Sequence, residues 1–179
     1  METKRLVLRP YVIEDADAMF RNWANDPQVT KYLSWEPHKD VEETKQILEG
    51  WIKSYESKDF YTWAIARKED EGNVIGSISV PQLNQKAGRV TVGYCLGRNW
   101  WGHKIMKEAF AELIRFFFEV EGANRVEALH DTHNVNSGKV MAACGLKKEG
   151  TLRRYGWNNQ GICDECIYGM VASDYFEGK

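Results

Sequence analysis

The stretch RNWWGHKIMKEA, residues 98–109, places Gly102, His103, Lys104 and Lys107 where a strongly apolar helix begins. A helix N-terminus carries partial positive charge, so a cation in its first turn is unfavourable by roughly 0.3–1 kcal/mol. Either these side chains point into solvent, or a bound anion offsets them. A strand ending at Leu96, an irregular segment over 98–101 and a helix opening at Gly102 bring several backbone N–H groups to one point. Gly102 lets the backbone approach an anion with no Cβ in the way, and Arg98, Lys104 and Lys107 supply charge. The chemistry this spacing suits is phosphate binding.

Two further spacings invite a metal. Cys163-x-x-Cys166 and His130-x-x-His133 are each half of a zinc site, but no further ligands stand at suitable spacing. The cysteine pair also lies in a strand-like run, where residues three apart face opposite sides. No metal is therefore expected. Four cysteines, at 95, 144, 163 and 166, imply no disulfide framework and suit a reducing compartment.

The elements that must position these residues follow from periodicity. Leu6 to Leu8 reads as a strand ended by Pro10, and Glu14 to Asn25 as a helix with Ala18, Met19, Phe20 and Trp23 on its apolar side. Val41 to about Ser57 is a second helix. Tyr61 to Ile65 and Val74 to Val80 form a hairpin, with Pro81 ending its second arm, and Arg89 to Leu96 adds another strand. From Gly102 to Glu121 a stripe of Ile105, Met106, Ala109, Phe110, Leu113, Ile114, Phe117 and Val120 defines a central helix. Arg125 to Leu129 is a strand, Ser137 to Ala143 a short helix closed by Gly145, and Leu146 to Tyr155 and Ile162 to Ala172 are the last two strands. The order is β-α-α-βββ-α-β-α-ββ.

The 179 residues, 43% hydrophobic, fit a single domain over 1–179 with a sizeable core, and no linker or repeat divides them. A formal net charge of -2 provides no global basic field for nucleic acid or an anionic membrane surface. Neither an apolar targeting segment nor a membrane-length run is visible, so the expectation is a soluble, cytoplasmic protein with no nucleic-acid or membrane partner.

Val92-Gly93-Tyr94-Cys95-Leu96, Trp101-Gly102, Glu108-Ala109, Arg125-Val126-Glu127-Ala128, Asn134-x-x-Ser137 and Lys148-Glu149-Gly150-Thr151-Leu152-Arg153 occur in that order. As an ordered set they resemble the GNAT N-acetyltransferases, particularly the ribosomal-protein N-terminal (RimJ/RimL-like) branch. The resemblance runs from Arg5-Leu-x-Leu-Arg-Pro10 to the last strand. It implies an α/β acyl-CoA N-acyltransferase fold, a mixed twisted sheet of about seven strands flanked by helices. Acetyl-CoA is the implied cosubstrate, held between splayed strands, and the implied reaction is direct attack by a primary amine on the thioester.

By that resemblance Cys95 and Leu96 pair through their backbone with the pantetheine arm, and amides there polarise the acetyl carbonyl. Arg98, Trp101, Gly102, His103, Lys104 and Ile105 form the pyrophosphate loop. The family pattern Gln/Arg-x-x-Gly-x-Gly/Ala reads here as Asn99-x-x-Gly102-x-Lys104, so only the central glycine is kept; Arg98 is the substitute for the first residue. Asn134 is implied as a cofactor ligand, and the Ser137 hydroxyl as the group that stabilises or protonates the departing thiolate. Both are also ordinary helix-capping residues. Lys139 either meets a CoA phosphate or is solvated.

An acid can stand in the strand after Glu149-Gly150 in this branch, but Tyr155 and Gly156 occupy the nearby positions here. Asp164 is the first substitute as general base and Glu36 the second, with His130 and His133 near the implied active face. Tyr32, Trp35, Glu36 and Tyr94 are the candidate acceptor wall; core packing is the alternative for the aromatics. The acceptor amine belongs to a protein N-terminus or to a small molecule such as an amino acid, polyamine or antibiotic. A non-catalytic acyl-CoA-binding regulator and an interaction module with no CoA affinity are the competing classes. Sheet edges often pair in the family, which makes a homodimer compatible with the resemblance.

Overall fold

The computed structural model describes residues 1–178. Seven strands, β1 (Leu6–Arg9), β2 (Thr62–Arg67), β3 (Asp70–Asn84), β4 (Arg89–Leu96), β5 (Arg125–Asp131), β6 (Lys147–Asn158) and β7 (Gly161–Val171), form one sheet in the order β1-β2-β3-β4-β5-β7-β6. Neighbours are antiparallel except β4 with β5. The parallel pair follows from the crossover through the central helix, since strands joined this way run in one direction.

That helix, α4 (Ile105–Glu119), buries Ile105, Met106, Ala109, Phe110, Leu113, Ile114 and Phe117 against the sheet, and Phe118 as well. Truncating Phe110 or Phe117 to alanine is expected to cost about 3–5 kcal/mol, because each is completely enclosed. Val120, expected in the same stripe, is exposed: α4 ends at Glu119, ahead of the left-handed turn at Gly122. Helix α5 (Val135–Ala143) packs beside α4.

A second core covers the opposite face, where Met19, Trp23 and Leu48 meet Ala64, Ala66 and Val74 of β2 and β3. Its helices are α1 (residues 13–24), α2 (Pro27–Thr30) and α3 (Val41–Ser54). The regular helix expected over 14–25 is instead a 3-10 turn, one α turn and a π-helical stretch Phe20–Ala24 that sets Trp23 wholly inside. Asp26 caps α2 by accepting the Gln28 N–H at 2.9 Å, with Pro27 in the first helical position. A last helix, α6 (Ala172–Glu177), ends the fold.

Pro81 does not end β3. The strand continues to Asn84 because an irregularity between Ser79 and Gln82 absorbs the residue that lacks an N–H for the ladder.

The feature that makes a site possible is a split in the sheet. β4 and β5 pair only from Arg89↔Arg125 to Val92↔Ala128, although β4 runs on to Leu96 and β5 to Asp131. Above Val92, β4 stays with β3 as far as Leu96↔Gly76, and β5 stays with β7 as far as Asp131↔Glu165. The closed half is locked by the buried Glu127 carboxylate. It accepts from Thr91 Oγ1 at 3.0 Å and Arg125 Nε at 2.7 Å, with Arg89 Nε at 3.5 Å, while Arg125 forks onto Glu149. A buried carboxylate is tolerated only with such partners, so the lock fixes where the split begins.

Candidate active site

The split opens into a cavity of about 730 Å³ walled by the end of β4, the start of α4, the first turns of α5 and, from the other side, α2. The lining contains Lys31, Lys104, Lys107 and Lys139 and, among the described residues, no aspartate or glutamate. In a protein of net charge -2 this is a local concentration of positive charge.

Backbone direction along β4 follows from one bond. Gly97 N–H donates to Ile75 O at 2.8 Å, so alternation turns the N–H groups of Tyr94 and Leu96 away from β3 and into the split. The Leu96 carbonyl on that side accepts the Trp101 indole N–H at 2.7 Å. Leu96 thus borders the cavity with its N–H turned away from β3. Cys95 borders the cavity, but its backbone pairs with Ser77 of β3, and burial pushes its thiol up to about 12. Tyr94, not Cys95, supplies the second free amide, a consequence of strand alternation.

The loop before α4, expected to hold phosphate, contains two left-handed residues. Gly102 has φ 81 and Lys104, directly before α4, has φ 60. Two left-handed residues at this point turn successive N–H groups toward one concavity. Among the described residues, no protein acceptor meets the N–H groups of residues 102–107, and a Cβ on Gly102 would enter open space. Lys104 occupies a conformation that costs a non-glycine residue about 1–2 kcal/mol. Gly102, Lys104, Ile105 and the exposed Trp101 border the cavity, as does Lys107.

Arg98 and His103 do not border it. Arg98 Nε pairs with Asp26 Oδ2 at 3.0 Å in a smaller pocket behind the loop, because the 3-10 turn Arg98–Trp100 directs it toward α2. His103 is exposed, its Nδ1 lying 2.9 Å from the Trp101 carbonyl oxygen. The expected substitution of Arg98 for the missing first residue of the pattern is therefore not what the fold provides.

Across the cavity, Asn134 caps α5 through a 3.4 Å contact from Ser137 N–H to its Oδ1. It serves as a cap while also bordering the cavity. Ser137 Oγ lies 3.0 Å from the Tyr94 hydroxyl, which is also 3.0 Å from the Ser137 carbonyl oxygen. Tyr94 packs against Phe110 at 5.5 Å, and burial holds its hydroxyl well above the ordinary phenol range. Its side chain therefore faces α4 and α5 and anchors Ser137, while the residue borders the cavity. Lys139 borders the cavity from the same helix.

Of the four expected acceptor residues, Tyr32 and Tyr94 border the cavity, and on the α2 side Lys31 Nζ lies over the Tyr32 ring at 5.1 Å. Trp35 packs beside the core under α3, 5.3 Å from His38. Glu36 is exposed and outside the cavity. Asp164 Oδ1 accepts the backbone N–H of Arg154, itself at φ 51, at 2.8 Å; this carboxylate braces the β6 irregularity and does not border the cavity. His130 Nδ1 lies 2.7 Å from the Asp131 carbonyl oxygen, and its ring sits beneath Gly138. His133 borders the cavity, with Nδ1 3.0 Å from Asp131 Oδ1. Asp131 was not legible as a site residue. Burial raises its pKa, but the His133 N–H, the Asn158 amide and the His133 ring outweigh that and hold it below the ordinary aspartate range.

A sheet split between two parallel strands, with a free-amide loop at the head of the following helix, defines an acyl-CoA-dependent transferase fold. The model of the acetyltransferase (GNAT) domain matches residues 5–147, and the chain belongs to that family. It is 33% identical over 174 residues to an uncharacterized N-acetyltransferase, p20, of Bacillus licheniformis, covering 97% of this chain and 96% of the relative. It is 25% identical over 186 residues to the ribosomal protein uS5-alanine N-acetyltransferase of Escherichia coli K12, covering 100% of this chain and 94% of the relative. Among solved structures, the microcin C7 self-immunity acetyltransferase MccE, in complex with acetyl-CoA and AMP, superposes with a TM-score of 0.83 at 20% identity, covering 94% of this chain and 93% of that one. The protein is an acetyl-CoA-dependent N-acetyltransferase. No helix among the described residues is long and apolar enough to cross a membrane.

Proposed function

We propose that the protein acetylates the single α-amine of a peptide or protein N-terminus, with the N–H groups of 102–107, Lys104, Lys107 and Lys139 holding the cofactor phosphates. What supports the acceptor class is the relative that acts on ribosomal protein uS5, together with the cavity lining not committed to the cofactor. There, among the described residues, Lys31 over Tyr32 is the charged group and no carboxylate stands, an arrangement that suits a lone α-amine better than a polycation such as a polyamine. Acetyl-CoA fits the residues present, since phosphates need unpaired N–H donors and cations while its arm needs the free edge of β4. When bound it supplies a thioester carbonyl.

The chain's own groups do the rest. The Tyr94 and Leu96 amides pair with the arm, and those at its thioester end stabilise negative charge on the carbonyl oxygen. Ser137 Oγ donates a proton to the departing sulfur, and the Tyr94 hydroxyl, donating a hydrogen bond to Ser137 Oγ, stabilises the negative charge that develops there until the proton from the attacking nitrogen replaces the one given. Asn134 sets the direction of α5 and so of Ser137.

Calorimetry of acetyl-CoA on the wild type and on Gly102→Trp tests the cradle; tight binding lost in the variant is the expected result. Thiol release with alanine-initiated peptides, free alanine and spermidine tests the acceptor. Turnover of spermidine above the peptides would sink the peptide reading.

A further inference from the structure

The groups so far assigned leave the acceptor's ammonium with nothing to take its proton, and Asp164, the first expectation, stands on the wrong face of β7. Alternation puts Glu165 on the other face, and the register identifies its companions. Glu165 is directly opposite Asp131, Gly156 is directly opposite Cys163, and Asn158 Nδ2 reaches both Asp131 Oδ2 at 2.7 Å and Cys163 Sγ at 3.3 Å. The segment between α2 and α3 is tied over the adjoining β6–β7 turn, Asn159 Nδ2 donating to Thr30 O at 2.9 Å and to Trp35 O at 2.7 Å. This is the side from which Tyr32 and Lys31 border the cavity.

Every other carboxylate nearby is committed. Asp131 accepts from His133 and Asn158, and Asp164 holds Arg154. Glu165 is half-buried, and among the described residues no hydrogen bond or ion pair reaches its carboxylate. That carboxylate fills the space a side chain at 156 would occupy: a Cβ built on Gly156 would overlap it.

Resting on the transferase reading above, we infer that Glu165 is the general base: its carboxylate occupies the space that Gly156 leaves open on β6, behind the cavity lining and beside the Asp131–His133 pair that reaches it, and it receives the acceptor's proton through water. The carboxylate takes one proton from the acceptor's ammonium through an intervening water and later releases it to solvent. The neutral nitrogen then forms a bond to the thioester carbon, the C–S bond breaks, and the second nitrogen proton replaces the one Ser137 gives to sulfur. Protons and electrons balance with no further reactant. Burial and the neighbouring Asp131 charge both raise the proton affinity of Glu165, which suits a base. The titratable groups around it are Asp131 and His133 from β5 and the turn after it, and Cys163 from β7 itself.

The test uses the full chain, acetyl-CoA and an alanine-initiated, lysine-free hexapeptide. Glu165→Gln is expected to lower kcat/KM at pH 7 by about 100-fold or more while acetyl-CoA binding by calorimetry stays unchanged. The deficit should shrink as pH rises past the peptide amine's pKa of about 8, where neutral amine exists without a base. Gly156→Ala, which keeps Glu165 but displaces its carboxylate, should lose at least about tenfold. Activity of Glu165→Gln within threefold of wild type overturns the inference, as does a deficit equal at every pH, or one that moves to His133→Gln instead. A wild type that turns over no peptide removes the transferase reading's acceptor and this inference together; an active wild type with an unaffected Glu165→Gln removes this inference alone.

Discussion

The Tyr94–Ser137 pair makes a quantitative claim about how the leaving sulfur is protonated. A phenol has one proton, so Tyr94 donates either to the Ser137 carbonyl or to Ser137 Oγ, both at 3.0 Å. Only the second arrangement leaves the serine proton free to move toward the cavity. General-acid assistance is worth about 10²–10⁴ in rate, and a thiolate is a good enough leaving group to sit at the low end. Ser137→Ala is therefore expected to lower kcat about 100-fold, close to 2.7 kcal/mol. Tyr94→Phe removes the donor behind the serine and should lower kcat about tenfold. It should also cost about 1 kcal/mol of stability, a shift in Tm of about 2–4 °C in a chain of this length. If the tyrosine works through the serine, the double variant loses about 100-fold and not 1000-fold, a coupling of about 1.4 kcal/mol. The assay is thiol release under saturating acetyl-CoA, with thermal unfolding alongside. A double variant whose losses multiply, or a Ser137→Ala enzyme within threefold of wild type, refutes the relay.

Other consequences are simpler. Lys104→Gly relieves a left-handed conformation worth about 1–2 kcal/mol but adds unfolded-state freedom of about 0.4–1 kcal/mol, so stability should hold or rise slightly while acetyl-CoA affinity falls. Calorimetry at low and high salt checks this, the affinity deficit being larger at low salt. Asp164→Ala should cost about 1 kcal/mol through loss of the Arg154 N–H bond and leave kcat within twofold, as thermal melts and thiol release would show. His38, buried with Nδ1 2.8 Å from Thr44 Oγ1, has its pKa lowered chiefly by burial. The unfolded chain then binds this proton more readily than the folded one. Its contribution is complete above about pH 6.5 and declines as pH falls through the folded pKa. Thermal melts from pH 7.5 to 5 should accordingly fall less steeply for His38→Gln than for wild type.

The strands and the central helix were legible because their apolar periods are intact: Val90 and Val92 on one side of β4, and seven of the eight buried residues along α4. What escaped were features set by contacts remote in sequence. Arg98 sits beside the phosphate loop in the chain, yet its partner is Asp26, which only the packing of α2 reveals. Pro81 has the residue type of a strand terminator, and the irregularity that accommodates it has no sequence signature. Asp164 and Glu165 differ by one position, and one position in a strand is the difference between two faces. The irregularities in β6 made that face impossible to assign by counting from Gly150. The phosphate loop was readable from Gly102 and its lysines, whereas the split that gives it a purpose lies in where pairing stops, at Val92 and Ala128.

In the proposed function the loop of free N–H groups and its lysines hold the phosphorylated end of the cofactor, and that end is identical before and after the acyl group leaves. Spent CoA therefore competes for the same seat with most of the same contacts. On that assignment turnover responds to the proportion of CoA that carries acetyl groups as well as to its total amount, and the acceptor is modified in step with the supply of activated acetate.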